Sequence, residues 1–135
     1  MTRVRTLIAI AMTSSAPLAA LACGACVEDK VAATYDHAVI QSAMSRHQQV
    51  VFVTVDGPTN AGKFVARVKT AASGMRGVEA GTLRTSIAPN AFSFALDAAQ
   101  EPEAAVAGFR KAVGNASVRL TLVRILRDGA LIEPK

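Results

Sequence analysis

The chain of 135 residues lacks most of the side chains on which catalytic sites depend. It has no Trp, one Tyr, two Cys and two His, and neither His stands beside a candidate nucleophile. The sequence also has no close pair of carboxylates in an apolar setting and no acidic cluster suited to a hard metal ion. We therefore expect a protein that is not an enzyme.

Positive charge is in excess but does not form a block. The formal net charge is +5, and the 15 basic residues are spread along the chain. A nucleic-acid-binding domain usually clusters its basic residues and adds aromatic residues that stack on bases. With one Tyr and five Phe in the whole chain, nucleic acid is not an expected partner.

The first 22 residues have the pattern of a signal peptide. Arg3 and Arg5 form a basic start, an apolar run begins at Leu7, and Ala20-Leu21-Ala22 supplies the small residues of a cleavage site. The apolar run is short and interrupted by polar residues, which makes it a poor membrane span. We expect an exported, periplasmic or secreted protein that begins at Cys23, with 113 residues and a net charge of +3. The protein would be membrane-anchored through this segment only if the segment is retained.

The mature chain reads as a helix followed by the order βαββαβ. Apolar residues at helical spacing predict a helix from Val27 to Arg46. The apolar run within Gln48 to Asp56 predicts a central strand that is covered on both faces. The other predicted elements are strands at 78–87, 91–98 and 117–126, a helix capped by Thr59 or Asn60, and a helix that opens at Glu101.

This order predicts an α+β fold of the ferredoxin-like type, with an antiparallel sheet and two helices on one face. Only Ala88-Pro89-Asn90 separates the second and third strands, and so short a connection requires an antiparallel hairpin. The N-terminal unit, residues 23–47, carries the Cys-x-x-Cys and the extra helix, which would cover the other face of the sheet. The ferredoxin-like domain would span residues 48–127, and residues 128–135 would form a loosely held tail.

The segment VFVTVDGPTNAGKFV contains the literal pattern of a phosphate-binding loop, formed by Gly57, Gly62 and Lys63. In nucleotide-binding loops the next residue is Ser or Thr, because its hydroxyl binds magnesium. Here the next residue is Phe64, which has no such group. Nucleotide-binding sheets of that class are also mainly parallel, unlike the predicted hairpin. We therefore do not expect a bound nucleotide.

The same strand, loop and helix resemble the heavy-metal-associated domains of copper chaperones and copper-transporting ATPases. These domains have a βαββαβ fold and carry Gly-Met-Thr-Cys-x-x-Cys between the first strand and the first helix. Gly57 and Thr59 match the motif, whereas Asn60 and Lys63 stand where the two metal-binding cysteines belong. The resemblance covers about residues 50–126 and implies a metal-handling domain. Copper(I) prefers thiolates, however, so the loop is not expected to hold it.

The two cysteines of the chain, Cys23 and Cys26, lie together at the predicted mature N-terminus. Their spacing lets two thiolates bind one ion. Two thiolates suffice for near-linear copper(I), whereas a closed tetrahedral zinc site needs two further ligands. The sequence therefore favours a metal-binding or metal-trafficking protein that binds copper(I) rather than zinc through Cys23 and Cys26. A partner protein in metal transfer would follow from that function.

The predicted lengths place this cysteine pair near the loop. A helix from Val27 to Arg46 would be about 30 Å long, close to the length of the following strand. If this helix folds back along the strand, Cys23 and Cys26 would lie near Asn60 and Lys63. His37 is too far along such a helix from Cys26 to share its ion, and His47 is farther.

Other interpretations of Cys23 and Cys26 stay open. An oxidising compartment favours a simple disulfide. The weak lipoprotein box that ends at Cys23 would allow acylation of this residue and a membrane anchor. A redox-active pair is the third alternative. The corresponding alternative function is a metal-free interaction module or lipoprotein, with a partner protein docked at the edge strands and at the loop that begins with Gly57.

Overall fold

The computed structural model describes residues 26–135, which form an α+β fold around one antiparallel sheet. The predicted fold class is therefore confirmed. Among the residues described, no helix is long and apolar enough to cross a membrane. The elements are α1 (Val27–Thr34), α2 (His37–Ser45), β1 (Gln48–Asp56), α3 (Ala61–Gly74), β2 (Val78–Ile87), β3 (Asn90–Asp97), α4 (Pro102–Val113), β4 (Arg119–Arg127) and β5 (Ala130–Ile132).

The five strands lie in the order β2-β3-β1-β4-β5. β1 pairs with β3 on one side and β4 on the other, and its residues from Gln49 to Val55 are buried. β2 and β3 form the predicted antiparallel hairpin. The arrangement is consistent with the ferredoxin-like prediction, except that a fifth strand extends the sheet beyond β4.

α3 and α4 pack on one face of the sheet and form the larger core. Phe64 of α3 and Val106 and Phe109 of α4 contact apolar side chains of β1, β3 and β4. The ring of Phe109 lies 5.1 Å from the ring of Phe92 and 4.9 Å from that of Phe94, measured between centroids. Tilted and edge-on aromatic contacts of this kind add stabilisation to that of apolar burial.

α1 and α2 cover the opposite face, as expected for the N-terminal segment. Val31 of α1 and Ile40 of α2 pack against Val50 and Phe52 of β1 in a second, smaller core. Both faces of β1 are therefore covered, which explains its unbroken apolar run.

The single helix predicted from Val27 to Arg46 is wrong, because two helices occupy this segment. The chain is extended at Tyr35 and Asp36, between the two helices. Asp36 Oδ1 accepts hydrogen bonds from the backbone N–H of Ala38 at 2.9 Å and of Val39 at 3.2 Å. Asp36 is thus the N-cap of α2, and a residue that caps a new helix ends the preceding one.

Two ion pairs attach α2 to β2. Arg84 Nε lies 2.7 Å from Asp36 Oδ2 at the start of α2, and Arg46 pairs with Glu79 at its end. The pKa of Asp36 is lowered from 3.8, chiefly by the hydrogen bond from Arg84. The pKa of Glu79 is lowered from 4.5, chiefly by the hydrogen bond from Arg46. Both carboxylates therefore favour the folded state when they are ionised.

We expect part of the stability to be lost in acid because of these two pairs. A carboxylate whose pKa is lowered by folding stabilises the protein above its unfolded pKa, and protonation removes this contribution as pH falls through the folded value. The test is urea unfolding of the unmodified chain and of Asp36→Asn/Glu79→Gln between about pH 6 and about pH 2.5. The variant should have the lower free energy of unfolding near pH 6, and the difference between the two proteins should become smaller toward pH 2.5. A difference that does not change with pH would contradict this explanation.

The C-terminal segment differs from the predicted loose tail. β5 pairs antiparallel with β4, with Ile125 opposite Ile132 and Leu126 opposite Leu131. Asp128 and Gly129 form the connection, with φ of 50° and 78°. An Asp-Gly pair between two strands is a frequent hairpin signal because this turn needs two positive φ values. The signal was present in the sequence, but the strand that follows it has only three residues.

Candidate functional site

The loop between β1 and α3 and the first turn of that helix carry Asn60 and Lys63, the residues that stand at the cysteine positions of the metal-binding motif. Asn60 Oδ1 accepts a hydrogen bond of 3.1 Å from the backbone N–H of Lys63. Asn60 is therefore the N-cap of α3 and satisfies one of its first N–H groups. Lys63 is exposed, and its ammonium group disfavours a cation at this place.

Gly57 and Thr59, the two residues that match the motif, both have structural roles. Gly57 has φ of +104°, and a Cβ atom at this position would lie 2.1 Å from the carbonyl oxygen of Ser117. Only glycine permits such an approach of two backbone segments. Thr59 Oγ1 accepts a hydrogen bond of 3.0 Å from Asn90 Nδ2, which ties the loop to the β2–β3 hairpin.

Cys26 is the N-cap residue of α1 and is partly buried. Its carbonyl oxygen accepts a hydrogen bond of 3.2 Å from the backbone N–H of Lys30. The first turn of α1 also carries two acidic residues, Glu28 and Asp29. Cys23 and the predicted signal peptide lie outside the described residues.

α1 crosses the sheet instead of following β1 along its length. At its start, Glu28 Oε1 lies 3.0 Å from Arg124 Nη2 of β4. At its end, the carbonyl oxygen of Thr34 accepts a hydrogen bond of 2.8 Å from Ser93 Oγ of β3. Asp36, just beyond, reaches β2 through its ion pair. The long helix that was expected to fold back along β1 is therefore replaced by a short helix across the strands.

The first turn of α1 nevertheless lies within reach of the end of β1. Lys30 Nζ is 3.2 Å from Asp56 Oδ1, and Asp56 is the last residue of β1, directly before Gly57. The lysine side chain thus links the helix that Cys26 caps to the strand that leads into the loop. The distance from the cysteine pair to Asn60 and Lys63 stays a prediction.

The two histidines lie at opposite ends of α2. His37 is its first residue and His47 follows it, and both are exposed. Within residues 26–135, no three His, Cys, Asp or Glu side chains converge to form a metal site. The described part of the chain therefore does not contain the four convergent ligands of a tetrahedral zinc site.

A concavity of about 170 Å³ lies beside the loop, with Lys63 and Arg67 of α3 in its wall. Val113 and Asn115, at the end of α4 and just beyond, form the opposite side. Arg67 Nη1 donates a hydrogen bond of 2.6 Å to the carbonyl oxygen of Val113, so its guanidinium group bridges the two helices. Sequence reasoning missed Arg67, although its position one helical turn after Lys63 placed two cations on one side of α3.

Comparisons with known proteins give no family assignment. The chain matches no protein-family model, no curated protein and no solved structure. The resemblance to heavy-metal-associated domains therefore stays a prediction, and any proposed function depends on the residues of this chain.

Two places in the molecule differ in the chemistry that they offer. The start of α1 brings a cysteine sulfur to a helix cap, and sulfur is a ligand for soft cations. The concavity at α3 presents Lys63 and Arg67, which repel cations and attract carboxylates. The two places therefore suit groups of opposite charge.

Proposed function

We propose that this chain is a small exported protein that takes copper(I) as its cargo through the thiolates of Cys23 and Cys26, for transfer to a partner protein. The observation that supports this proposal most directly is the position of Cys26 at the cap of a helix fixed to the sheet. Val31 holds that helix in the second core, and Lys30 holds it to Asp56 at the end of β1. A ligand on a fixed element is held more precisely than one on a loose terminus.

The choice of copper(I) follows from the number and type of donors. Copper(I) accepts two soft thiolates, and the sequence supplies two in Cys23 and Cys26. Zinc would need further ligands from another molecule, because no additional donors converge within residues 26–135. The loop would contribute shape but no ligand, since Asn60 caps α3.

Titration of the exported, fully reduced protein with copper(I) against a chromophoric chelator tests the proposal. We expect one copper(I) per chain, and the Cys23→Ser/Cys26→Ser variant should bind more than about 100-fold more weakly, because it lacks both ligands. The matched control is Asn60→Ala/Lys63→Ala, which changes the loop positions of the motif and should bind as tightly as the unmodified chain.

Two results would contradict the proposal. The first is equal copper(I) binding by the unmodified chain and by Cys23→Ser/Cys26→Ser, or none by either. The second is an intact mass raised by acyl chains on Cys23, because a lipidated cysteine cannot offer a thiolate. The mass measurement should come first, since it identifies the species that is then titrated.

A further inference from the structure

On the α3–α4 side of the sheet Arg110 Nη2 lies 3.7 Å from Glu103 Oε2, but other basic residues of these helices have no acidic partner among the described residues. Lys63, Arg67 and Lys111 of α3 and α4 are exposed, and within residues 26–135 none of them forms an ion pair. The charges of these three side chains are therefore not neutralised by an acidic partner among the described residues. By contrast, four basic residues in or facing α1 and α2 each pair with an acidic side chain, namely Lys30, Arg46, Arg84 and Arg124.

The start of α3 carries an electrostatic conflict that the fold does not relieve. Lys63 lies in the first turn, and this turn contains no acidic residue. Positive charge near a helix N-terminus is unfavourable, because the helix dipole is positive at that end. Arg67 adds a second cation one turn later. A sequence that keeps such a conflict without compensation often does so at a functional site.

Arg67 also joins two neighbouring concavities into one surface. Beyond the concavity beside the loop lies a second one of about 300 Å³, which runs over α3 and α4. Small side chains and a hydroxyl line it together with Arg67. The α3–α4 groove is defined by Lys63, Ala66, Arg67, Thr70, Ala71 and Ala112.

The guanidinium group of Arg67 is held in place and still has donors to offer. One nitrogen is fixed by its 2.6 Å hydrogen bond to the Val113 carbonyl oxygen. An arginine has five N–H donors in a planar fork, which suits a carboxylate. Because the side chain is already ordered, less conformational entropy is lost when a carboxylate binds.

We propose that the α3–α4 groove docks an acidic segment of a partner protein, with carboxylates at Lys63 and Arg67 and small side chains against the alanines. Charge complementarity is the basis, since the two helices present unpaired cations around an alanine-lined surface. The proposal does not depend on copper(I) binding, because the groove is defined by side chains of α3 and α4.

The surface fits an acidic protein segment better than a membrane or a nucleic acid. A helix that binds a membrane surface inserts large apolar side chains, and single-stranded nucleic acids stack on exposed aromatic rings. Phe64, which lines the concavity beside the loop, is only 6% exposed. The large apolar side chains that are exposed among the described residues all lie outside α3 and α4: Tyr35, Met44, Ile87, Leu131 and Ile132.

Fluorescence anisotropy of a labelled peptide of alternating Glu and Ala, titrated with the whole protein at low ionic strength, tests the groove. Lys63→Gln/Arg67→Gln should weaken binding roughly fivefold, because two exposed ion pairs are lost. Arg76→Gln/Lys135→Gln removes the same net charge elsewhere and should change binding by less than about twofold. Binding should also be lost in about 1 M salt, where charges are screened beyond about 3 Å.

Further measurements keep the test independent of folding and of the cysteines. Lys63→Gln alone leaves the Arg67–Val113 hydrogen bond intact and should still weaken binding about twofold. Cys23→Ser/Cys26→Ser should bind the peptide as the unmodified chain does. Equal losses in the two charge-matched double variants would overturn the proposal. Tighter binding to phosphatidylglycerol vesicles or to a single-stranded oligonucleotide than to the peptide would overturn it as well.

Discussion

Replacement of Gly57 by Ala should lower the free energy of unfolding by about 3 kcal/mol or more, because it combines backbone strain with a direct overlap. The residue has φ of +104°, which side chains rarely adopt, and the new Cβ would lie 2.1 Å from the Ser117 carbonyl oxygen. That oxygen belongs to the backbone and cannot rotate away. Relief therefore requires the segment before β4 or the end of β1 to shift.

Urea denaturation of Gly57→Ala beside Gly62→Ala measures this effect with a matched control. Gly62 lies within α3, and a Cβ there would be 3.8 Å from Asn60 Oδ1, an ordinary contact. Alanine is favoured over glycine in a helix by up to about 1 kcal/mol, so Gly62→Ala should be neutral or stabilising. If both variants keep the stability of the unmodified chain, the loop does not have the close approach described for Gly57.

Replacement of Phe109 by Ala should cost about 3 to 5 kcal/mol, the usual range for a large ring in a close-packed core. Phe109 is fully buried on α4 and contacts the rings of Phe92 and Phe94. Its removal takes away apolar burial, leaves a cavity between α4 and β3, and ends two aromatic contacts. A domain of this size is stabilised by only about 5 to 15 kcal/mol, so the variant would lose a large share.

Phe109→Leu is the control that separates loss of volume from loss of the ring. It keeps an apolar side chain of similar size and should cost less than about 1.5 kcal/mol if the core repacks. Urea unfolding curves followed by circular dichroism provide both values. A loss in Phe109→Ala as small as in Phe109→Leu would mean that the site collapses around the truncation or is less tightly packed than described.

The sheet was the part of the fold most open to prediction from sequence. The run from Gln48 to Asp56 is apolar on both faces, and only a central strand between two covering layers buries both. The link between β2 and β3, at Pro89, is too short for a crossover, so these two strands had to form an antiparallel hairpin. These features depend on local patterns, which a single sequence displays directly.

The irregularities within the sheet depend on long-range contacts, and no local pattern indicates them. In β2 the pairing with β3 shifts between Glu79 and Arg84. Thr82 Oγ1 there donates to the Glu79 carbonyl oxygen at 2.6 Å and accepts from the Ala95 N–H at 2.8 Å. A side chain thus replaces part of the strand pairing, and its partner on β3 is distant in sequence.

The candidate sites also depend partly on local sequence patterns and partly on long-range contacts. Cys23 and Cys26 were found by residue type and spacing, which a sequence shows. The direction of α1 could not be predicted from the sequence, because Glu28 contacts β4 and Thr34 contacts β3, and both contacts are long-range. Asp is a favoured N-cap residue, but the apolar periodicity on both sides of Asp36 favoured a single helix, and the cap was not predicted. Arg67 is identified as a candidate site residue only by its hydrogen bond to Val113, which places its side chain between two helices.

The cover that α1 and α2 form over β1 limits how modular this protein is. A boundary drawn at residue 47 would separate Val31 and Ile40 from Val50 and Phe52, although the four side chains share one core. The ferredoxin-like part therefore could not be moved to another protein without α1 and α2, because the apolar side chains on the second face of its sheet would be exposed. Recombination that keeps the fold has to carry α1 and α2 with the sheet, and the cysteine at their start is inherited with them.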